Sequence, residues 1–403
     1  MAMNGKFTRR ALLAAAPALL LAAIVAAPVS AADKTLKIGV LGVMSGPAAS
    51  WGLVNKYSAE ATAQMYNDKG GVKIGNDTYK IEIISIDDKN DPKLAVSGAE
   101  RLTKQEGIKY IIGPNVDTTA ASIVPVIEAA GAMNFPYAFS KELYTKPHGN
   151  SILGMVASYQ AGPLIYKYMK DNKGVKSIAF VARNESDALN QRDEGVKAAK
   201  ELGLQVVSST DTYEPGTTDF FPVLSKIVKG KPDLLVLSGV APADAPLLIK
   251  SARELGFKGQ ISTETAQDAK VLREVAGDKA DGFVSVGGAS TPAIRSAYME
   301  EFAKRYAKVA GEWNDEAGTK VYALEIILAT LQKNPKAVND VAEYKKTVDG
   351  GFGVPNAFLK DKATLKYVGT KYFGQPRQIG VPVVVNAYSK GEFQTVFVGT
   401  VAD

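Results

Sequence analysis

Short aliphatic runs alternate along this chain with longer stretches whose apolar positions recur at helical spacing. Leu36-Lys37-Ile38-Gly39-Val40-Leu41-Gly42 predicts a strand that ends in Met44-Ser45-Gly46-Pro47. From about Gly52 to Lys69, Leu53, Tyr57, Ala61 and Met65 recur every four residues and predict a helix that Gly70-Gly71 stops. Tyr79–Ile86 then predicts a strand, and Asp91–Gln105 a helix with Pro92 in its first turn and Gly107 beyond its end. A strand at Ile108–Ile112, a helix at Ala120–Ala130 and a short strand at Phe135–Phe139 complete the first series.

The order then restarts. Strands are expected at Ser177–Val181, Leu204–Thr210, Leu234–Leu237, Gln260–Thr263 and Gly282–Val286, with helices at Asp187–Leu202, Phe220–Val228 and Ala245–Leu255 between them. Asp91-Pro92 leading to Tyr110-Ile111-Ile112-Gly113 is matched by Asp219-Phe220 leading to Leu235-Val236-Leu237-Ser238-Gly239. Such repetition predicts two similar lobes with parallel sheets. Tyr298–Val309 and Thr319–Leu331 read as amphipathic helices, and Leu365–Val368, Val381–Asn386 and Thr395–Val398 as late strands. The helices are expected to return to the first lobe and the strands to complete the second. The chain then crosses between lobes near Gly154–Val156, Gly287-Gly288 and Gly353–Asn356. The expected division is 33–154 plus 287–353 for the first lobe, and 155–286 plus 354–403 for the second.

The N-terminus has a different pattern. Lys6, Arg9 and Arg10 precede an apolar run from Ala11 to Ala27, and small residues from Ser30 to Ala32 follow. Basic head, apolar middle and small-residue exit predict an export signal over 1–32, with mature protein starting near Asp33. The twin-arginine and general secretory routes both stay open. The run is short for a membrane anchor, which needs about 20 apolar residues. Removing the three cations of the signal lowers the formal charge from +6 to +3. No Lys/Arg cluster stands out, so nucleic acid is not an expected partner. The length suits two domains. With no Cys and a single His, His148 in a turn-like stretch, thiol chemistry, zinc sites of the usual kind and a second catalytic histidine are excluded. No cofactor or metal is expected.

In open parallel sheets, ligands lie beyond the carboxyl ends of strands, where helix N-termini offer free N–H groups. Residues 44–51, 113–119, 135–140, 182–187 and 262–265 are predicted to lie there. Ser45, Thr118, Thr119 and Ser140 offer hydroxyls; Trp51, Tyr137 and Phe139 offer apolar walls. Individually, the same hydroxyls serve as helix caps and the same rings as packing. Neither G-x-G-x-x-G nor G-x-x-x-x-G-K-[ST] spacing occurs, nor a G-x-S-x-G elbow. Asp87, Asp88 and Asp91 read as a strand end and a helix cap rather than a cation site.

Ile38-Gly39-Val40, Met44-Ser45-Gly46-Pro47, Asn67-Asp68-Lys69-Gly70-Gly71-Val72, Asp87-Asp88, Asp91-Pro92 and Ile108-Lys109-Tyr110-Ile111-Ile112-Gly113 occur in that order. In this the chain resembles the leucine/isoleucine/valine-binding proteins, type I periplasmic solute-binding proteins of ABC importers. The likeness runs across nearly the whole mature chain, through Ala161-Gly162-Pro163 and Arg253-Glu254-Leu255-Gly256, and is most specific near the start. It implies an α/β fold of two Rossmann-like lobes joined by a three-strand hinge, closing on a small-molecule ligand such as an amino acid or organic acid. It also implies delivery to an ABC permease in the inner membrane, a periplasmic location, a monomer and no enzymatic activity. By the same resemblance Trp51 is an aromatic against the ligand, and Asp117 or Thr118 stands where a small hydroxyl residue receives a carboxylate. Tyr137, Ala138 and Phe139 fall at the next pocket segment. Asp187, Val240 and Glu264 or Thr265 serve from the second lobe, Glu264 or Thr265 matching the group that holds a ligand ammonium; Arg183, at a strand end of that lobe, is read from its chemistry either as a countercharge for a ligand carboxylate or as a solvated loop residue. Asp187 and Val240 depart from expected aromatics. A hydrophobic amino acid is the first expected ligand, an aromatic or aliphatic carboxylate the second and a small amide the third. A ligand-sensing module and an exported enzyme are the alternatives from other classes; the enzyme's only candidate acid–base pairs, Asp87/Asp88 and Glu185/Asp187, read as structural.

Overall fold

Strands buried on both faces and helices covered on more than one side account for the architecture of this computed structural model, which describes residues 34–400. The expected export signal lies outside the described residues. Among the described residues, no helix is long and apolar enough to cross a membrane.

The first sheet contains β1 (Lys34–Gly42), β2 (Val72–Ile74), β3 (Asp77–Asp87), β4 (Tyr110–Ile112) and β5 (Met133–Phe135), in the order β2-β3-β1-β4-β5. β1 pairs in parallel with β3 and β4, and β4 with β5; β2 is an antiparallel edge hairpin. The second sheet is built on β6 (Ser177–Arg183), β7 (Gln205–Tyr213), β8 (Leu234–Ser238), β9 (Gln260–Ala266) and β10 (Val284–Gly287). A small sheet follows, with β11 (Gly353–Pro355), β12 (Thr364–Val368) and β13 (Gln378–Ile379). The hairpin of β14 (Val383–Ser389) and β15 (Glu392–Gly399) then returns to the second sheet, whose order is β15-β14-β10-β9-β8-β6-β7. β3-β1-β4-β5 in one sheet corresponds to β7-β6-β8-β9 in the other, the doubled unit that the repeated motifs predict. β8 is buried throughout, as a central strand covered by helices on both faces must be.

The helix Ala49–Asn67 buries residues around most of its circumference, including Trp51, Val54, Ala59, Ala61 and Met65. It lies against the first sheet on one side and the returning helix Ala297–Ala310 on the other, so its apolar pattern is broader than one face. The helix Ala297–Ala310 packs on Ala49–Asn67, and Tyr322–Lys333 on β2 and β4. The helices beyond the predicted elements include Ser158–Lys173 and Val341–Asp349. In the first, Pro163 and a polar exposed face obscure the periodicity; the second is a single short amphipathic stretch.

Residues 354–379 differ from the expected assignment. They do not join the second sheet but face the first lobe. The Tyr367 hydroxyl lies 2.9 Å from Thr330 Oγ1, and Arg377 donates to the Gly149 carbonyl at 3.0 Å and to Asp349 at 2.6 Å. Leu365–Val368 is therefore a strand of the small sheet, and the last return to the second sheet comes between β13 and β14. A short alternating run specifies a strand but not the sheet that accepts it. Around the crossings, Gln160 and Gln378 donate to one another's side chains, and Gln378 Nε2 also donates to the Met155 carbonyl at 2.9 Å.

Candidate functional site

Two helix N-termini and two strand ends converge on a crevice of about 510 Å³, counting its open mouth, between the carboxyl ends of the two sheets. Trp51, Asp117, Tyr137, Ala138, Phe139, Asp187, Glu264 and Thr265 all line it. Trp51 stands in the first turn of the helix after β1, and Asp117 opens the helix Asp117–Ala129 after β4. Asp187 occupies the first turn of the helix Ser186–Glu201 after β6, and Glu264 lies in β9. Trp51, Asp117 and Asp187 thus stand at the switch points, between β1 and β4 and between β6 and β8, where successive connections leave in opposite directions and open a gap; Glu264 reaches the crevice from β9, the strand beyond β8.

The polar groups are unevenly satisfied. Asp117 Oδ1 accepts N–H bonds from Phe139 at 2.7 Å and Ser140 at 3.0 Å, whereas its Oδ2 makes no hydrogen bond. Burial raises the Asp117 carboxyl above its ordinary range; the two backbone donors and the nearby Asn190 amide offset part of that cost. Glu264 Oε1 accepts the Tyr166 hydroxyl, and Oε2 has no partner. Burial pushes Glu264 up to about 7, with the Tyr166 hydroxyl opposing. Asp187 is likewise pushed up to about 6 by burial, against the pull of Arg183, and Asp117 across the crevice adds like-charge repulsion.

The structure brings in residues that the sequence reading missed. Asn115, Met155, Gln191, Ala266, Glu316, Thr319 and Lys320 complete the lining. Glu316 and Lys320 come from the returning chain, where their spacing alone resembles any surface ion pair on a helix. Here both are buried, with Nζ 3.8 Å from Glu316 Oε2. Lys320 Nζ donates to the Trp51 carbonyl at 3.0 Å and lies 5.8 Å from the Tyr137 ring centre. Burial lowers its ammonium to about 8, with Glu316 opposing.

Ser45, Thr118, Val240 and Arg183 lie outside the crevice lining, as do the hydroxyl residues Thr119 and Ser140. Ser45 hydrogen-bonds to Asp87, whose Oδ1 also accepts the Met44 N–H at 2.8 Å, so the loop after β1 is held to the end of β3. Thr118 is exposed on its helix. Val240 is buried in the hydrophobic core of the second lobe. Arg183 is almost fully buried, not solvated: it pairs with Glu185 and with Asp187 Oδ2 at 3.0 Å, and its guanidinium lies 5.0 Å from the Trp51 ring centre. Ser45 and Arg183 line a neighbouring cavity with Asp244 and Ala241.

The lobes touch across the crevice mouth. Lys141 Nζ lies 3.0 Å from Glu194, Asn90 Nδ2 donates to Glu185 at 3.3 Å, and Val43, Trp51 and Val116 pack with Ala241. Together with the Trp51–Arg183 stack, these contacts define a closed arrangement. Asp91 Oδ1 meanwhile accepts the N–H groups of Lys93 and Leu94, the cap its position predicts.

A family model described as periplasmic binding protein matches residues 35–368. The Leu/Ile/Val-binding protein of Escherichia coli strain K12 is 27% identical over 319 residues, covering 77% of this chain and 82% of that protein. Among solved structures, the branched-chain amino acid transporter substrate-binding protein LivJ from Streptococcus pneumoniae, in complex with isoleucine, superposes with a TM-score of 0.75 at 20% identity. That match covers 91% of this chain and 99% of the other. A solute-binding protein of an ABC transporter from Rhodopseudomonas palustris, in complex with 4-hydroxybenzoate, gives a TM-score of 0.72 at 19% identity, covering 91% and 97%. The paired sheets, the crevice at their switch points and a match across most of the chain lead to one conclusion: this chain belongs to the periplasmic binding protein family, whose members bind solutes and are not enzymes.

Proposed function

We propose that this protein is the extracytoplasmic substrate-binding component of an ABC importer, closing its lobes over a compact, largely apolar solute that carries an amino group and delivering it to a membrane permease. Hydrophobic amino acids are the reference members of that class, as the Leu/Ile/Val-binding relative and the isoleucine-bound neighbour suggest. The observation that carries the reading is the unpartnered Glu264 Oε2 on the wall of a crevice lined by Trp51, Tyr137 and Phe139. A buried carboxylate oxygen without a donor is costly, and a ligand ammonium supplies both the hydrogen bond and the countercharge. Trp51 and Arg183, meeting across the lobes, hold the closed form; the ligand adds its preference for that form to theirs.

A second reading, an aromatic or aliphatic carboxylate, draws on the neighbour holding 4-hydroxybenzoate and on Lys320 as the only lysine or arginine lining the crevice among the described residues. Small-angle scattering on protein stripped of ligand, with and without a saturating ligand, tests the shared part of both readings. The radius of gyration should fall on binding, and a bound protein with the radius of the free one would sink lobe closure.

A further inference from the structure

The donors that a ligand carboxylate would need are already engaged. The N–H groups of Phe139 and Ser140, adjacent in the loop after β5, both point at Asp117 Oδ1. The Lys320 ammonium is held by the Trp51 carbonyl and faces Glu316. Arg183 is held between Glu185 and Asp187. Counting the lining and its ion-pair partners, Asp117, Glu185, Asp187, Glu264 and Glu316 face two cations, Arg183 and Lys320. Three buried carboxylate oxygens lining the crevice make no close hydrogen bond: Asp117 Oδ2, Glu264 Oε2 and Glu316 Oε2. Glu316 faces the Lys320 ammonium and Asp117 has the Asn190 amide nearby, which leaves Asp117 and Glu264 without a cation of their own.

We propose that Asp117 is a second anionic receiver, facing Glu264 across the crevice, so that the site takes small apolar solutes bearing N–H donors and no carboxylate: amines and amino amides rather than amino acids. This inference rests on the reading of the crevice as the solute site and narrows it. Asp117 takes two backbone donors for itself and leaves an acceptor in their place. A ligand carboxylate there meets an anion where it needs an N–H group. An amide or ammonium donates to Oδ2 instead, and the rings of Trp51, Tyr137 and Phe139 enclose its apolar body.

Calorimetric titration of ligand-stripped protein with matched series tests this. One series is leucine, leucinamide, isopentylamine and isocaproate; the other is phenylalanine, phenylalaninamide, phenethylamine and hydrocinnamate. The amide or the amine of a series should bind at least about tenfold more tightly than the amino acid and the acid. Asp117→Asn keeps an acceptor for the two backbone donors and removes the charge, so it should narrow that preference. Asp117→Ser frees both donors and should reverse it, while circular dichroism establishes that each variant is folded. Leucine or isocaproate binding more tightly than leucinamide and isopentylamine would overturn this inference and leave the solute-crevice reading standing. Binding by no member of either series would overturn both. A preference unchanged in both Asp117 variants would remove Asp117 from the role.

Discussion

Glu264 carries a stability cost that its ligand is expected to relieve, and Glu264→Gln separates the cost from the benefit. The carboxyl, ordinarily near 4.5, is held at about 7 by burial. At about 1.4 kcal/mol per pH unit, that gap is worth ~3 kcal/mol. The sign follows from proton binding. The native protein holds this proton more tightly than the unfolded chain, so the associated stabilisation is complete below about pH 4.5 and is lost as pH rises through about 7. Glutamine keeps an oxygen for the Tyr166 hydroxyl and never ionises. The stability of the variant relative to the parent should therefore grow by ~3 kcal/mol between about pH 4.5 and pH 8, a rise of roughly 5 °C in relative Tm for a chain of this size. The offset at low pH reports only the new buried amide N–H group; the growth with pH reports the charge. Thermal unfolding of ligand-stripped protein across that range measures it, and calorimetry on the same samples should find amine affinity reduced at least about a hundredfold, the loss of a charge-assisted bond. A relative Tm that does not change with pH would refute the buried, ionisable Glu264 on which the site is argued.

Other expectations concern closure and scaffolding. Trp51→Ala removes the ring that meets Arg183 and packs with Val43, Val116 and Ala241. It should cost the closed state about 3 kcal/mol, the scale of a buried aromatic truncation, read as weaker ligand affinity and a smaller ligand-induced fall in the radius of gyration; an unchanged affinity would contradict it. Gly288→Ala would set a methyl group 2.0 Å from the Gly318 carbonyl oxygen, a backbone atom unable to yield cheaply. It should displace the segment carrying Glu316 and Lys320 and lower stability by about 1–3 kcal/mol, with weaker binding alongside. Parental stability in thermal unfolding would show that the hinge and the returning helix are not in rigid contact.

How far the primary structure reaches can be judged element by element. β1, β6 and β8 were legible because a strand buried by helices must be aliphatic over most of its length, β3 because Tyr79, Ile81 and Ile83 alternate with polar residues, and the repeated order of caps, turns and strands revealed the doubled unit. Trp51, Asp117, Tyr137, Phe139, Asp187 and Glu264 were legible as strand-end residues because topology alone sends such positions to the crevice. The placement of residues 354–379 was not, since an alternating run does not say which sheet will accept it. Nor were Glu316 and Lys320: a charged pair at that spacing is usually solvated, and only the return of a distant helix buries it against the pocket. Local chemistry thus determined the elements and the edge at which a ligand would sit. Tertiary structure decided which charges are left unpaired there, because desolvation and partner choice depend on groups brought together from opposite ends of the chain.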